Sequence, residues 1–442
     1  MNRTYAIDIP KHENQEVTLM GWVDVRRDHG KLLFVDVRDR TGVAQVVFTA
    51  KEKELYDQAN ELRSEWVISV TGIVQKRPDN MKNPNIVTGE VELKALRIDI
   101  LAKAKELPFE KDTEINLDTY LDNLPLTLRT PRSQALFKVQ AEITRLYRDF
   151  LTQEGFVEFQ APKLIGEDAE GGANSFSVEY FGHMAHLAQS PQLYKQIMVG
   201  VFERVFAVGN VYRAEKHSTT RHINEYTSLD IEMGFIHDHR DVMKLETQLL
   251  AHILDGLQIS SKKQVALIGA TIPRVPQHIP EVKLRDAQAI IKKLHGVDCV
   301  NEPDLEPQHE RWLCEYAAQE YGSDFIFITH FPVSKRPFYT YEDENDPGYT
   351  KGFDLLFRGV EITTGAQRIH GYDTLVASLE KKGLDPEKFR FYLQAFKYGM
   401  PPHGGFGMGL ERLTAKLLGI ENIKEATLFP RDINRIDNLL ST

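Results

Sequence analysis

The chain has 442 residues, 54 Lys and Arg against 64 Asp and Glu for a formal charge of −10, and a hydrophobic content of 42%. That is enough apolar sequence for two or three domain cores, while the acidic balance means that a nucleic-acid partner has to be met by local basic patches rather than by overall charge. Cys299 and Cys314 form no CxxC or zinc spacing, and the polar opening Met1-Asn-Arg-Thr4 is followed by no long apolar run; both features point away from a disulfide scaffold, structural zinc, a signal peptide or a membrane span, and towards a reducing cytoplasm.

The first hundred residues read as short β-rich runs at 17–23, 32–37, 44–48, 66–74 and 91–101. Between the third and fourth, residues 51–63 carry Leu55, Ala59 and Leu62 at helical spacing. Three strands, a helix and two strands is the order of an OB-fold barrel, a fold that commonly binds single-stranded nucleic acid on one face. We place Arg27, Phe34 and Gln45 on that face, as a cation for phosphate, a ring for base stacking and an amide for a base edge. Phe34, inside Leu32-Leu-Phe-Val35, has an equal claim to a place in the barrel interior.

Residues 106–130 mix charges with Pro108 and Pro125 and lack periodicity, which predicts a hinge or linker. From 133 to 154 a stripe of Phe137, Val139, Ile143, Leu146, Phe150 and Leu151 predicts an amphipathic helix stopped by Gly155 and followed by the strand-like Phe156-Val-Glu-Phe159. The remainder alternates irregularly between strand-like and helical segments. This fits an α+β domain with a mainly antiparallel sheet flanked by helices, in which 258–325 reads as an accessory helical insertion.

Two stretches carry the chemistry. Tyr212-Arg-Ala-Glu-Lys-His-Ser-Thr-Thr-Arg-His-Ile-Asn-Glu225 supplies arginines, and Gly404-Gly-Phe-Gly-Met-Gly-Leu-Glu-Arg412 places glycines ahead of another at a helix start, together suggesting a nucleotide site. There is no GxxxxGK[ST], and the glycines at 405–410 lie outside any βαβ unit, so neither a P-loop nor a Rossmann fold accounts for them. Both stretches resemble signature motifs two and three of the class II aminoacyl-tRNA synthetases, with wording similar to the aspartyl-tRNA synthetases of the shorter archaeal type. The helix at 133–154 with its strand and Pro162 resembles motif one, which in that family lies at a dimer interface.

The resemblance implies an anticodon-binding OB domain at 1–105, a hinge at 106–130 and a class II catalytic domain at 131–442. It implies an ATP-dependent ligase using Mg2+, in which an aspartate carboxylate attacks the α-phosphorus. Arg213 would bridge the α-phosphate and the substrate carboxylate, Glu215 would meet the adenine amino group, Arg221 and His222 would contact ATP beyond the α-phosphate, and Arg412 would hold the γ-phosphate. Ala214, Ile223, Gly409, Leu410 and Glu411 complete the expected ATP contacts. Glu361, Thr364 and Asp354 are the expected magnesium ligands. Asp354 and Glu361 are an odd interval apart, so a break near Gly359 would be needed for both to reach one ion.

For the amino acid, Gln189-Ser-Pro-Gln-Leu-Tyr-Lys195 and Thr363-Thr-Gly-Ala-Gln-Arg368 resemble aspartate-specific signatures. They place Lys195 and Arg368 on the β-carboxylate and Asp230 on the α-ammonium, with Glu170, Gln192 and Thr364 nearby. Ala366 stands where Gly is common and would tighten a loop there. His29 resembles the residue of enzymes that accept both tRNA-Asp and tRNA-Asn, which implies a non-discriminating enzyme whose misacylated product needs an amidotransferase. The competing readings are an asparaginyl-tRNA synthetase, disfavoured by two cations in the pocket, and a synthetase-like RNA-binding protein without catalysis, disfavoured by intact motifs. An enzyme that activates an amino acid and ignores tRNA is disfavoured by the OB-like domain.

Overall fold

The computed structural model describes residues 3–84, 86–109, 113–166 and 175–440. Two compact units divide between residues 114 and 115.

In the first unit β1 (Arg3–Thr4), β2 (Glu16–Asp28), β3 (Leu32–Asp39), β4 (Gly42–Thr49), α1 (Lys53–Asn60), β5 (Val67–Lys76) and β6 (Val91–Ala102) follow one another. Strand order β2-β3-β4-β6-β5, with β5 returning to β2, closes a five-stranded barrel; β4–β6 is parallel and the other barrel pairs are antiparallel. Period-two burial on β3 sends Leu33, Val35 and Val37 into the barrel core with Val46, Phe48, Ile68, Val70 and Leu93. Phe34 lies on the opposite face of β3 from Leu33 and Val35, and is itself mostly buried there.

The second unit starts inside the stretch expected as linker. Asn116 caps α2 (Leu117–Asp122) by accepting from the Thr119 amide, and α3 (Leu124–Thr127) follows. Arg435 pairs with Asp122 at 2.7 Å, so residues read as a hinge are anchored within the unit that carries the C-terminal segment. Pro131 at its first turn and the Thr130 side chain on the Ser133 amide start α4 (Pro131–Gln153), whose buried stripe runs through Leu136, Val139, Ile143, Leu146 and Phe150. Gly155, at φ 79°, ends it.

Short strands β7 (Val157–Glu158), β8 (Leu164–Ile165), β9 (Ser177–Tyr180) and β10 (His183–Leu187) lead to α5 (Gln192–Phe202), β11 (Arg204–Tyr212), β12 (Glu225–Gly234), α6 (His239–Ser260) and α7 (Lys262–Ile268). Then come β13 (Glu281–Lys283), α8 (Leu284–His295), α9 (Pro307–Tyr321), β14 (Phe325–Thr329), β15 (Gly352–Phe357), β16 (Val360–Gln367), α10 (Tyr372–Lys381), α11 (Arg390–Lys397), β17 (His403–Gly409) and α12 (Leu410–Leu418). Eight strands form one sheet in the order β13-β14-β15-β16-β17-β12-β11-β7, parallel only at its two ends. Helices α4, α6 and α12 bury one face of it through Ile143, Leu250, Ile253, Leu413 and Leu417 against Phe206, Leu229, Phe353 and Phe406. The segment 258–325, expected as a helical insertion, also gives β13 and the start of β14 to this sheet.

Two local details differ from expectation and shape the site. The glycines of 404–409, expected to let a nucleotide approach the backbone, form a central strand. A Cβ on Gly405 would stand 2.1 Å from the Ile231 carbonyl oxygen and 2.3 Å from Glu232 Oε2, so at this position the missing side chain gives room to an acidic residue of the neighbouring strand, while Gly407 and Gly409 line the cavity described below. Ala366 likewise lies in β16, paired with Gly352 and Gly405, so it tightens no loop.

Candidate active site

One cavity of about 700 Å3 lies along β12, β16 and β17 and takes in both sequence motifs. Arg213, Glu215, Arg221, His222, Ile223, Glu361, Gly409, Glu411 and Arg412 line it, as do Gln192, Lys195, Asp230, Asp354, Thr364 and Arg368. Ala214 is half-buried outside the lining, and the Leu410 side chain belongs to the hydrophobic core. Glu170 lies outside the described residues.

At the nucleotide end the stretch after β11 is braced by Asn224. Its side-chain amide donates to the carbonyls of Arg213 at 2.7 Å and Glu215 at 3.1 Å, while its own backbone amide donates to Arg431. Arg213 stands over the Tyr226 ring at 5.6 Å. His222 is 3.6 Å from Glu215; burial pushes its pKa down, and Arg412 and Arg221 add to that against the pull of Glu215. Glu411 turns both carboxylate oxygens to the Thr227 backbone amide at 3.0 and 3.1 Å, and burial pushes its pKa up to about 7. Its role here is to tie the start of α12 to β12.

Asp354 and Glu361 reach the same region because the chain turns between them. Arg358 and Gly359, at φ 45° and 83°, make a tight turn from β15 into β16. A bulge then sets Leu355 opposite Thr363 but Leu356 opposite Glu361, leaving Ile362 extra. This puts Glu361 and Thr364 on one face despite their odd spacing, and the Thr364 hydroxyl donates to Glu361 at 2.9 Å. Thr364 is also directly across from Asp354. Arg412 donates to the Glu361 carbonyl at 3.0 Å and stands 3.6 Å from its carboxylate.

These residues suit a hard divalent cation. Asp354 Oδ1 is buried without a hydrogen-bond partner among the described residues, a cost that such a cation relieves. Its other oxygen is 2.8 Å from Arg336. Burial pushes Asp354 up to about 7; Arg336 opposes this and the Glu361 charge adds to it.

The amino-acid end differs from two bare cations awaiting an acid. Lys195, 1% exposed, stands 3.0 Å from Asp230 and 3.5 Å from Glu232, and donates to the Phe406 carbonyl at 2.9 Å. Arg368 holds Glu232 through Nε at 2.9 Å and Nη2 at 3.3 Å, and donates to Gly405 at 2.8 Å. Burial favours a neutral Glu232, but Arg368 and Lys195 outweigh it and hold its pKa below the ordinary carboxylate range. Thus Asp230, expected on the substrate ammonium, is also a partner of Lys195. Beneath them Gln192 donates to Gln196, which meets His403 at 2.9 Å and accepts from Tyr392 at 3.1 Å.

Sequence reasoning gave no role to Glu232, Arg336, Asn224 or Glu310. Glu310, from α9, accepts from Arg221 and from the Glu361 backbone amide at 2.9 Å.

On the barrel, the four residues expected at the anticodon share one face. Arg27 pairs with Phe34 across β2 and β3, and Asp36 pairs with Gln45 across β3 and β4. The His29 ring meets Phe34 edge-on at 5.4 Å. Arg27 is 2.9 Å from Asp36, and Gln45 donates to Glu92 at 3.0 Å. Buried Arg77 lies among these acids and donates to Val91 at 2.8 Å.

Family comparison agrees with both units. Residues 116–433 match the family described as tRNA synthetases class II (D, K and N), and residues 17–101 match the OB-fold nucleic acid binding domain. The chain belongs to the class II tRNA synthetases. Within this family it is similar to the aspartate--tRNA(Asp/Asn) ligase of Deinococcus radiodurans, 47% identical over 99% of both chains. It is 46% identical to the ligase of that name from Thermus thermophilus, over 98% of this chain and 99% of the relative. Among solved structures, asparaginyl-tRNA synthetase from Pyrococcus horikoshii complexed with asparaginyl-adenylate superposes with a TM-score of 0.91 at 31% identity over 99% of both chains. Aspartyl tRNA synthetase from Entamoeba histolytica gives 0.85 at 30%, over 99% of this chain and 93% of that one.

Proposed function

We propose that this chain attaches L-aspartate to tRNA in two ATP-dependent steps, and that it serves both tRNA-Asp and tRNA-Asn. In the first step the aspartate α-carboxylate attacks the α-phosphorus of ATP and pyrophosphate leaves. In the second the tRNA 3′-terminal hydroxyl attacks the adenylate carbonyl and AMP leaves. Positioning and positive charge supply most of such catalysis. Arg213 joins the two anions, Glu215 meets the adenine, and Arg221 with Arg412 takes the outer phosphates. Mg2+ held by Glu361, with Thr364 and Asp354 beside it, would screen charge between the phosphate groups.

The observation that carries the choice of amino acid is the buried lattice of Lys195, Arg368, Asp230 and Glu232. A substrate carboxylate entering it finds a fork and an ammonium that can re-pair with it, and a neutral amide offers them no charge to re-pair with. Because each cation already has a carboxylate, selection works through rearrangement of pairs rather than through unpaired charge. Relatives 47% and 46% identical over nearly the whole chain are named for both tRNAs, which supports the dual tRNA use, and a product aspartylated on tRNA-Asn calls for an amidotransferase.

Two copies would complete the enzyme. Helix α5 packs on β12 and α11, and the ends of these elements leave Val201, Phe202, Phe235 and Tyr398 exposed at 60%, 45%, 68% and 82%, an apolar surface that a second copy would cover. No helix among the described residues is long and apolar enough to cross a membrane, and a cytoplasmic setting follows from the need for tRNA and ATP. The test is amino-acid-dependent exchange of pyrophosphate into ATP. Aspartate supports exchange and asparagine does not; the reverse result would replace this reading with an asparagine enzyme.

A further inference from the structure

We infer that Glu310 is a positioning residue for the triphosphate end of the site, holding Arg221 and the strand that bears Glu361 in a single arrangement. The inference rests on the ATP-dependent reading above. Along α9 the buried residues Glu310, Leu313, Cys314 and Ala317 fall at i, i+3, i+4 and i+7. Three of these belong to an apolar cluster with Ile326, Ile328 and Leu356. A carboxylate at the first position of such a stripe is costly unless paired, and an apolar side chain there would pack without that cost.

Glu310 meets the cost with two partners from other parts of the chain. The Arg221 guanidinium donates to its Oε2 from the stretch after β11, and the Glu361 amide donates to the same oxygen from β16 at 2.9 Å. Burial raises the Glu310 pKa, the Arg221 charge opposes that rise, and the Glu361 carboxylate adds to it. One oxygen therefore holds two groups at once: the guanidinium of an expected phosphate-binding arginine and the backbone of an expected metal-binding residue. Only one side of the Arg221 fork is used, since Nη1 has no hydrogen-bond partner among the described residues. Glu310 thus orients the guanidinium without using up its donors.

The experiment compares wild type with E310A, E310Q, R221A and the R221A/E310A double variant, all as full chains, with melting temperature recorded for each. Binding of a non-hydrolysable ATP analogue is measured by calorimetry without aspartate, and KM for ATP and for aspartate are read separately from pyrophosphate exchange. E310A should weaken ATP by about tenfold and leave the aspartate KM within about twofold, with the double variant losing less than the product of the two single losses. E310Q keeps an acceptor for the Glu361 amide but not the charge facing Arg221, so its loss is smaller. Unchanged ATP affinity, equal shifts for ATP and aspartate, or losses that multiply in the double variant would each overturn the inference. If E310A does not fold, the cycle of E310Q with R221A decides the same point. A wild type that binds ATP yet activates no aspartate would instead fault the functional reading, while the binding cycle still reports on Glu310.

Discussion

Arg368 illustrates what charge at this site does before any substrate arrives. Its fork is closed on Glu232, whose charge it keeps in a fully buried place, and Lys195 does the same between Asp230 and Glu232. Lysine at 368 would keep the charge and lose the bidentate geometry. Arg368→Lys is therefore expected to lower kcat/KM for aspartate in pyrophosphate exchange by about a hundredfold, while leaving ATP affinity near wild type. Equal losses for both substrates would show a general collapse of the site instead. Another buried acid, Glu246 on α6, has no cation partner among the described residues. Burial, with Asp354 adding to it, pushes its pKa from the ordinary 4.5 up to about 8. A raised folded pKa means that its contribution is fully present below 4.5 and is lost as pH rises through about 8. Glu246→Gln should remove that slope, so that its melting temperature gains on wild type between pH 5 and about pH 9; a constant difference across that range would contradict the assignment.

At the scale of elements, the site depends on one strand approaching another without side chains between them. The Gly405→Ala methyl meets the Ile231 carbonyl and the Glu232 carboxylate at 2.1 and 2.3 Å, and the carbonyl belongs to the central sheet. We expect Gly405→Ala to cost about 1–3 kcal/mol or more of stability and to disturb Glu232, read as a fall in melting temperature together with weakened aspartate binding. Much at this scale was legible in the sequence. The β-rich runs of β3 and β4 and the helical spacing in α1 and α4 are local, and both the barrel and the amphipathic helix could be read from them. The short α2 and α3 were not, because they rest on caps and on an ion pair to Arg435 rather than on periodicity. The parity problem of Asp354 and Glu361 was visible, and its resolution needed the turn at Arg358-Gly359 and a bulge that no pattern announces. The residues that complete the site were the least visible: Glu232 meets Arg368 across 136 positions and Glu310 meets Arg221 across 89. Glu310 left one signal, a charge on an apolar stripe.

For the whole molecule, two compact units divide the work between recognition of nucleic acid and chemistry. Residues 1–114 carry the barrel face of Arg27, His29, Phe34 and Gln45, and the cavity with its arginines lies in residues 115–442. Removing 1–114 should abolish charging of tRNA while sparing aspartate-dependent pyrophosphate exchange, and charging that persists would deny the barrel its role. In the proposed function the two units serve one reaction, in which one amino acid, chosen by a paired lattice of charge, is placed on two tRNAs. It is tested most directly by aminoacylation with labelled aspartate or asparagine against purified tRNA-Asp and tRNA-Asn transcripts. Aspartate is expected on both tRNAs and asparagine on neither. Aspartate confined to tRNA-Asp would contradict dual recognition, and asparagine on tRNA-Asn would contradict the roles of Lys195 and Arg368.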